Sequence, residues 1–285
     1  GDPMQGVLLG NTRRNSITGT HDIDRFQTAD GTVLSYADLL MKGIDIVGTA
    51  GEDRLGGTSI GDRFVGKAGN DQLLGGAGHD QYRFNLGDGI DTIVDVASVA
   101  EGNEVIFGRD ITSSMLTLSL VQDSINSPTG QDLVIRIGNG GDQLWLTGLD
   151  RDNVLGRRAV ETFRFTDGTS LSYAQLLERG IELNGTSGDE TLTGTNVNDR
   201  FIGGVGNDRL EGRAGDDQYV FGRGSGQDMI VDRAGTLDTV DWAADVLPSE
   251  VTITRSGHDL VLTITGTTDR VTVSEFFLAD TFRIE

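Results

Sequence analysis

The sequence is short of several residue types that mark common protein classes. It has no cysteine, three prolines and 6% aromatic residues, and its 23 lysines and arginines are outnumbered by 44 aspartates and glutamates. A cysteine nucleophile is therefore excluded, whereas the lack of cysteine by itself leaves the cellular compartment open. The net charge of −21 argues against nucleic acid and anionic membrane surfaces as partners.

Long apolar runs and enzyme signatures are missing as well. No run approaches the roughly 18 residues that a membrane-spanning helix needs, and no signal-peptide pattern is visible. The patterns H-E-x-x-H, G-x-S-x-G and G-x-x-x-x-G-K-[ST] do not occur. The three histidines, His21, His79 and His258, are scattered, and His79 is expected to be solvated. The sequence therefore favours a protein that is not an enzyme.

What the sequence has in excess is glycine, 42 residues, much of it arranged with a period of nine. Acidic residues recur every nine positions, and a large apolar residue follows each of them two positions later. An unbroken nine-residue period indicates that one structural unit is stacked. The acidic positions are Asp53, Asp62, Asp71 and Asp80 in a first block and Glu190, Asp199, Asp208 and Asp217 in a second. The apolar positions, expected to be core, are Leu55, Phe64, Leu73, Tyr82, Leu192, Phe201, Leu210 and Tyr219.

Each nonapeptide predicts a tight turn followed by a very short strand. Glycine tolerates the positive φ values that such a turn imposes, and the remaining residues are enough for about three extended positions. Two units make one turn of a flattened coil, so residues eighteen apart stack at about 4.8 Å. Asp53 then lies over Asp71, and the two carboxylates repel by roughly 3 kcal/mol at an effective dielectric near 20. A hard divalent cation between successive loops reverses the sign of this interaction.

Two nonapeptides match the pattern G-G-x-G-x-D-x-U-x, where U is a large apolar residue: 75–83 and 203–211. Both blocks close with Tyr-x-Phe-x-x-Gly-x-Gly-x-Asp-x-Ile-x-Asp. Over 44–96 and 181–233 the sequence resembles the RTX, or haemolysin-type calcium-binding, repeats of large secreted bacterial proteins. The resemblance implies an all-β fold with two parallel β-rolls in tandem. It also implies export by a type I secretion apparatus and folding when calcium binds outside the cell.

The resemblance further implies the ligands of several Ca²⁺ ions, about three per roll. Each ion would take carboxylates from stacked loops, and carbonyl oxygens from loop positions 2 and 4 of one repeat and 1 and 3 of the repeat two later. The implied carboxylate ligands are Asp53, Asp62, Asp71, Asp80, Asp91, Asp95, Glu190, Asp199, Asp208, Asp217, Asp228 and Asp232. The implied carbonyl ligands are those of Thr49, Gly51, Thr58, Ile60, Gly66, Lys67, Ala68, Gly69, Gly75, Ala77, Thr186, Gly188, Thr195, Val197, Gly203, Gly204, Val205, Gly206, Gly212 and Ala214.

The two blocks belong to a tandem duplication. Residues 30–95 align without gaps on 167–232, with 38 identities in 66 positions. Each unit opens with Asp-Gly-Thr-x-Leu-Ser-Tyr-Ala-x-Leu-Leu-x-x-Gly, which predicts a tight hairpin turn and then one short helix that covers the N-terminal end of the roll. The expected N-caps are Ser35 and Ser172, and the expected C-cap glycines are Gly43 and Gly180.

After each roll the sequence predicts an antiparallel β flank. Residues 132–137 and 142–146 form an expected hairpin, and 259–264 with 269–273 form its counterpart. Trp145 and Trp242 lie in these strands and are expected to be core; the alternative is an exposed sugar-stacking platform. The expected segments are degenerate repeats or an N-terminal cap at 1–27, hairpin and capping helix at 28–43, β-roll 1 at 44–96, β flank 1 at 97–160, hairpin and capping helix at 161–180, β-roll 2 at 181–233 and β flank 2 at 234–285.

The sequence thus predicts a calcium-binding module of a large secreted bacterial protein, a toxin or adhesin, located outside the cell. Two alternatives stay open. One is an adhesive module whose flanks bind a glycan or a host receptor, and the other is the accessory domain of an extracellular enzyme. The last residues, 281–285, resemble 162–166, so the parent chain is expected to continue. Among the metal sites, the one containing Glu190 is expected to be the weakest, because the other ladder positions hold aspartate.

Overall fold

The computed structural model describes residues 25–95, 102–122, 131–156 and 158–278. Within these ranges the regular secondary structure consists almost entirely of short strands, which confirms the all-β class. The described residues include no helix with the length and apolar character of a membrane span. Most of the expected degenerate repeats at 1–27, His21 and the terminal segment 281–285 lie outside the described residues.

The strands and helices follow the duplication. The first unit contains β1 (Arg25–Gln27), β2 (Val33–Ser35), α1 (Tyr36–Leu40), β3 (Ile44–Val47), β4 (Arg54–Gly56), β5 (Asp62–Val65), β6 (Gln72–Leu74), β7 (Gln81–Phe84), β8 (Ile90–Val94), β9 (Glu104–Phe107), β10 (Leu116–Gln122), β11 (Gln131–Ile137) and β12 (Asp142–Thr147). The second contains β13 (Thr162–Arg164), β14 (Ser170–Ser172), α2 (Tyr173–Leu177), β15 (Ile181–Asn184), β16 (Thr191–Thr193), β17 (Asp199–Ile202), β18 (Arg209–Glu211), β19 (Gln218–Phe221), β20 (Gln227–Val231), β21 (Thr239–Trp242), β22 (Val251–Ser256), β23 (Asp259–Ile264) and β24 (Arg270–Val273).

Each unit opens with the predicted hairpin and capped helix. β1 pairs with β2, and β13 with β14, across a turn whose glycine has a φ of 87° in both units. The Ser35 hydroxyl accepts the Asp38 N–H at 3.1 Å, and the Asp38 carboxylate accepts the Ser35 N–H at 2.9 Å. Ser172 and Gln175 make the same reciprocal pair before α2. The predicted N-caps are therefore confirmed.

The nine-residue period builds flattened coils with two nonapeptides per turn. β3, β5 and β7 pair in parallel on one side, and β4, β6 and β8 on the other. Arg54 lies opposite Gln72, so residues eighteen apart stack as predicted. Phe64 stacks on Tyr82 inside the coil, with ring centroids 5.1 Å apart, and neither side chain is more than 1% exposed. Roll 2 repeats this arrangement with Phe201 and Tyr219.

The coils continue into the flanking segments. β9 pairs in parallel with β7, and β12 with β8. In the second unit β21 pairs in parallel with β19, and β24 with β20. The predicted antiparallel hairpins are present, as β11–β12 and β23–β24, and a third antiparallel strand, β10 or β22, precedes each. In the described residues, the segments after the rolls therefore extend the sheets of the rolls, because β9, β12, β21 and β24 take the next positions in them.

The two units share a sheet and a core. β10 meets β15 in parallel, with Ser119 opposite Glu182, so one ten-stranded sheet runs from roll 1 into roll 2. β13 pairs with β9, which places the hairpin of unit 2 on the sheet of unit 1. Tyr173, Leu176 and Leu177 of α2 are buried in the common core, whereas α1 has no buried residue. The two helices are therefore alike in sequence but differ in their packing.

The two tryptophans differ from the expectation that both belong to the core. Trp145 is half-buried and outside the core, because the alternation of β12 turns Leu144 and Leu146 inward and the indole outward. Trp242 is partly buried and packs against Phe221, with ring centroids 6.3 Å apart. The core assignment is therefore wrong for Trp145.

Candidate metal centres

Carboxylates stack along both edges of roll 1 in two ladders. On one edge Asp71 Oδ1 accepts the Asp53 N–H at 2.9 Å, and Asp91 Oδ1 accepts the Asp71 N–H at 3.1 Å. On the other edge Asp80 Oδ1 accepts the Asp62 N–H at 2.8 Å. Each bond joins one loop to the next, so the structure brings the predicted acidic residues together in the predicted order.

Roll 2 carries the same two ladders. Asp208 accepts the Glu190 N–H at 2.9 Å, and Asp228 accepts the Asp208 N–H at 2.9 Å. Asp217 accepts the Asp199 N–H on the opposite edge at 2.8 Å. Five stacked acids per roll therefore occupy equivalent places in the two units.

The ladders end on residues that the nonapeptide period does not indicate. Asn103 accepts the Asp80 N–H at 2.8 Å, and Asp238 accepts the Asp217 N–H at 2.9 Å. On the other edge Asp142 accepts the N–H groups of Gly87 and Gly89. Asp269 does the same for Gly224 and Gly226 in unit 2. The only sequence signal for Asp142 and Asp269 is that each begins the second strand of its predicted hairpin.

The first two loops of each roll, which we call the opening loops (48–53, 57–62, 185–190 and 194–199), place a threonine at their second position. Its backbone N–H donates to the carboxylate four residues later, as Thr58 does to Asp62 at 2.6 Å and Thr195 to Asp199 at 2.5 Å. The threonine hydroxyl donates to the same carboxylate. One oxygen of each opening-loop carboxylate is therefore satisfied within its own loop.

The last two loops of each roll, the closing loops (66–71, 75–80, 203–208 and 212–217), lack this threonine. Their second residues have positive φ values, 74° at Lys67 and 83° at Arg213. Asp71, Asp208 and Asp217 accept the N–H of the loop below through Oδ1, while their buried Oδ2 atoms have no hydrogen-bond partner. A buried carboxylate oxygen without a partner is costly, so each of these atoms indicates a ligand that the protein itself does not supply.

Burial shifts the titration of these acids. Desolvation raises the pKa of Asp91 and of Asp228 to about 7, and it raises that of Asp217 to about 9 with the charge of Asp199 as the second cause. Hydrogen bonds from Thr186 instead lower the pKa of Glu190, which lies at the first loop of roll 2. The buried carboxylates of Asp91, Asp217 and Asp228 therefore need either a proton or a cation.

The predicted carbonyl ligands lie in the same stacked loops. Gly69 has a φ of 142°, and a Cβ at this position would lie 2.7 Å from the Gly51 carbonyl oxygen and 3.1 Å from Asp71 Oδ1. A side chain at position 69 would collide with the Gly51 carbonyl oxygen, so only glycine fits beside these two oxygen atoms. The carbonyls of Thr58 and Thr186 each accept an N–H from the loop above, at 3.1 Å. The stacked opening and closing loops thus offer hard oxygen donors, the type that Ca²⁺ prefers, and the unpartnered Oδ2 atoms of the closing loops fit such an ion.

Asp95 and Asp232, also expected as ligands, lie outside the ladders. Tyr82 donates its hydroxyl to Asp95 Oδ2 at 2.5 Å, and Tyr219 donates to Asp232 Oδ2 at 2.6 Å. Both carboxylates point into the coil from the ends of β8 and β20. Glu190 matches Asp53 in its contacts, because it accepts the Thr186 N–H at 2.9 Å and folds back on its own loop. Asp189 faces away and accepts the Asn207 N–H at 2.7 Å.

Family models match the segments that form these ladders. The RTX calcium-binding nonapeptide repeat model matches residues 56–93, 184–219 and 193–230. The model of the haemolysin-type calcium binding protein related domain matches residues 132–175 and 259–285. The chain therefore contains two segments that match RTX calcium-binding nonapeptide repeats, and each is followed by a segment that matches the haemolysin-type related domain.

Among solved structures, the chain is similar to the extracellular lipase LipA from Serratia marcescens, at 17% identity and a TM-score of 0.24. That match covers 81% of this chain and 37% of the lipase, so the chain spans well under half of its length. The comparison with curated proteins gives no match.

Proposed function

We propose that this chain is a structural module of a larger secreted bacterial protein, a toxin or adhesin, which becomes ordered when calcium binds outside the cell. The observation that supports the proposal is the set of buried closing-loop oxygens without a hydrogen-bond partner, on Asp71, Asp208 and Asp217. Calcium would supply the positive charge that these stacked carboxylates lack. The residues themselves hold the ion and join one loop to the next, so we assign the chain no catalytic step.

The free energies of ordering and of calcium binding favour a chain that is disordered inside the cell and folded outside it. Ordering a residue costs about 1–2 kcal/mol, and each short strand buries little more than one apolar side chain. Extracellular calcium modules have Kd values near 10⁻⁴–10⁻³ M, which correspond to roughly 4–5.5 kcal/mol per ion. Several ions together therefore offset the ordering cost at extracellular calcium levels. Export as an unfolded chain through a type I secretion apparatus agrees with this balance.

Circular dichroism of the full chain tests the proposal. We expect most of the β signal to be absent in EGTA and to appear in millimolar calcium, whereas magnesium at equal concentration should restore little of it. Magnesium is the matched control, because it carries the same charge but demands a tighter, near-octahedral shell. The same β content in EGTA and in calcium would contradict the proposal.

One observation favours a second candidate, an adhesive module that binds a glycan. Trp145 faces outward on β12 and lines a groove with Asn70, Gln72 and Thr92, and its indole N–H donates to Gln143 at 2.9 Å. An aromatic face beside amide and hydroxyl groups suits a sugar ring. A glycan array with and without calcium, repeated with Trp145→Ala, separates the candidates, because a purely structural module binds nothing. The third alternative, an accessory domain of an extracellular enzyme, depends on the parent sequence.

A further inference from the structure

The two units of the chain join through a pair of complementary surfaces. β10 of unit 1 lies beside β15 of unit 2, with Ser119 opposite Glu182. The helix before β15, α2, belongs to the common core, and its Leu176 is fully buried. We call the helix and first roll strand of a unit (α1 with β3, or α2 with β15) its head surface, and the first strand of its antiparallel flank (β10 or β22) its tail surface. The junction is thus one tail surface against one head surface.

The head surface of unit 1 has no such cover within the described ranges. β3 is an end strand of its sheet, whereas β15 has a neighbouring strand on each side. Leu39, which takes the place of Leu176 in α1, is 36% exposed, and Met41 is 79% exposed. A cleft of about 350 Å³ lies beside α1 and β3, and Tyr36 and Ile44 line it. The apolar contacts that α2 makes are therefore open in α1.

The tail surface of unit 2 is uncovered in the same way. β22 is an end strand of its sheet in the part of the chain that the structure describes. Ile253 lies opposite Leu262 in the β22–β23 pair. Leu118 has the equivalent place in unit 1, opposite Ile135. Leu118 is 2% exposed and Ile253 is 68% exposed, so a core position of unit 1 is at the surface in unit 2.

These two surfaces are complementary to each other. An uncovered end strand with exposed apolar side chains is a template for pairing with another chain. The head surface of unit 1 repeats that of unit 2, and the tail surface of unit 2 repeats that of unit 1. Because the junction inside the chain already joins one surface of each kind, a second copy of the chain offers a tail for the free head and a head for the free tail.

We propose that copies of this chain associate head to tail, with β22 of one copy beside β3 of the next. The junction inside the chain gives the register. Thr254 takes the place of Ser119, and Asp45 takes that of Glu182, so Thr254 of one copy lies opposite Asp45 of the other. Parallel pairing of the two end strands supplies main-chain hydrogen bonds, and burial of the exposed apolar side chains adds to them.

The contact is heterologous, because it joins two different surfaces. Each added copy leaves one head and one tail free, so association continues into longer assemblies instead of ending at a dimer. The proposal goes beyond the calcium-dependent ordering of the module, since it concerns what the folded module binds. It requires the folded state, so calcium is present throughout the test.

Sedimentation velocity of the full chain over a range of concentrations in millimolar calcium tests the contact. The parent should form species larger than the monomer, and their share should rise with concentration. Ile253→Lys changes the tail and Leu39→Lys changes the head, so each variant alone should stay monomeric. An equimolar mixture of the two should form dimers and nothing larger, because each pair has only one intact tail and one intact head to join. Leu86→Lys, at an exposed residue outside both surfaces, is the matched control and should associate as the parent does.

The other outcomes separate this contact from the function of the module. A parent that stays monomeric while it shows the β signal in circular dichroism would overturn the contact and leave the calcium-dependent module intact. Leu39→Lys that still dimerises alone would indicate a tail-to-tail contact and would also overturn the proposal. A parent without β signal in calcium would contradict the module and, with it, both surfaces. If Leu39→Lys does not fold, Met41→Lys changes the same surface at a more exposed position and takes its place.

Discussion

The opening and closing loops of each roll share spacing and register but satisfy their carboxylates differently. In the opening loops a threonine N–H and hydroxyl hold one oxygen, as Thr195 holds Asp199. The closing loops have no threonine at their second position, and the Oδ2 atoms of Asp71, Asp208 and Asp217 are left without a hydrogen-bond partner. The opening loops share part of this demand, because Asp62 Oδ1 also has no partner and burial raises the pKa of Asp199 to about 7. The threonine thus adds turn hydrogen bonds at the start of a roll, while buried carboxylate oxygens that need a cation occur in both kinds of loop.

The pKa values of the stacked acids also change from the N-terminal to the C-terminal end of roll 2. Glu190, in the first loop, has a lowered pKa, whereas burial raises the pKa of Asp208 in the loop above. Further along the same ladder, burial raises the pKa of Asp228 to about 7. The demand for positive charge therefore grows along the ladder, because each successive carboxylate is covered by another coil or by a flanking strand.

The largest effect should come from a matched pair of substitutions on one ladder of roll 1. Asp71→Asn keeps an acceptor for the Asp53 N–H but removes the carboxylate that lies between Asp53 and Asp91, so calcium affinity should fall more than tenfold, or about 1.4 kcal/mol. Asp53→Asn, at the end of the ladder, should cost less. Calorimetry on the full chain measures both, and equal losses would show that position in the ladder is irrelevant.

The pH dependence of the calcium-free protein should follow from the raised pKa values. Asp91 and Asp228 titrate near 7 in the folded state, against a usual value of 3.8. The folded state then binds more protons than the unfolded state between these values, so the free energy of unfolding decreases as pH rises from about 4 to 7. Without calcium, β content should therefore be greater at pH 5 than at pH 8.

Saturating calcium provides the control for the pH series. Protons compete with the ion for the same oxygens, so the calcium-bound protein should gain stability from pH 5 to pH 8. Circular dichroism with urea at each pH measures both trends. A calcium-free signal that rises toward pH 8 would mean that the buried acids do not limit folding.

The opening-loop threonines should make a smaller, calcium-independent contribution. Thr195→Val keeps the side-chain shape and the N–H but removes a buried hydroxyl that lies 3.1 Å from Asp199 Oδ2 and also accepts the Val197 N–H. We expect a loss of about 1 kcal/mol of stability in saturating calcium. Thr49→Val, at an exposed loop, is the matched control and should cost less. Urea unfolding that gives equal losses would remove the distinction between buried and exposed caps.

The smallest effect should come from the one glutamate in the ladders. Glu190 already makes the loop contacts that Asp53 makes, so we expect only a small effect from exchanging the two residue types. Glu190→Asp should raise the calcium affinity of its site by less than tenfold, and Asp53→Glu is the reverse exchange. Limiting-calcium titrations of the two variants measure the shift. A weaker site after Glu190→Asp would show that the longer side chain reaches the ion better.

The sequence predicts the local and periodic features of this fold. The eighteen-residue register, the aromatic stack of Phe64 on Tyr82 and the Ser35 cap all depend on residues within one or two turns of the coil. These features follow from the nine-residue period and from capping chemistry, which act over short separations.

The remaining features depend on pairings that the period does not encode. β12 joins β8 across about fifty residues, which brings Asp142 to Gly87 and Gly89. Asn103 and Asp238 reach the ladders through loops of unequal length. Trp145 faces outward because its neighbours in β12 take the inward positions, which a hydrophobicity pattern alone does not reveal.

Anomalous diffraction from crystals grown in millimolar calcium would locate the ions themselves. We expect calcium peaks beside the closing-loop carboxylates, with ions bound to Asp71 in roll 1 and to Asp208 in roll 2. We also expect the peak at Glu190 to disappear first when calcium is lowered. Closing loops without peaks, with Asp71 and Asp208 Oδ2 bonded only to protein or water, would contradict the account.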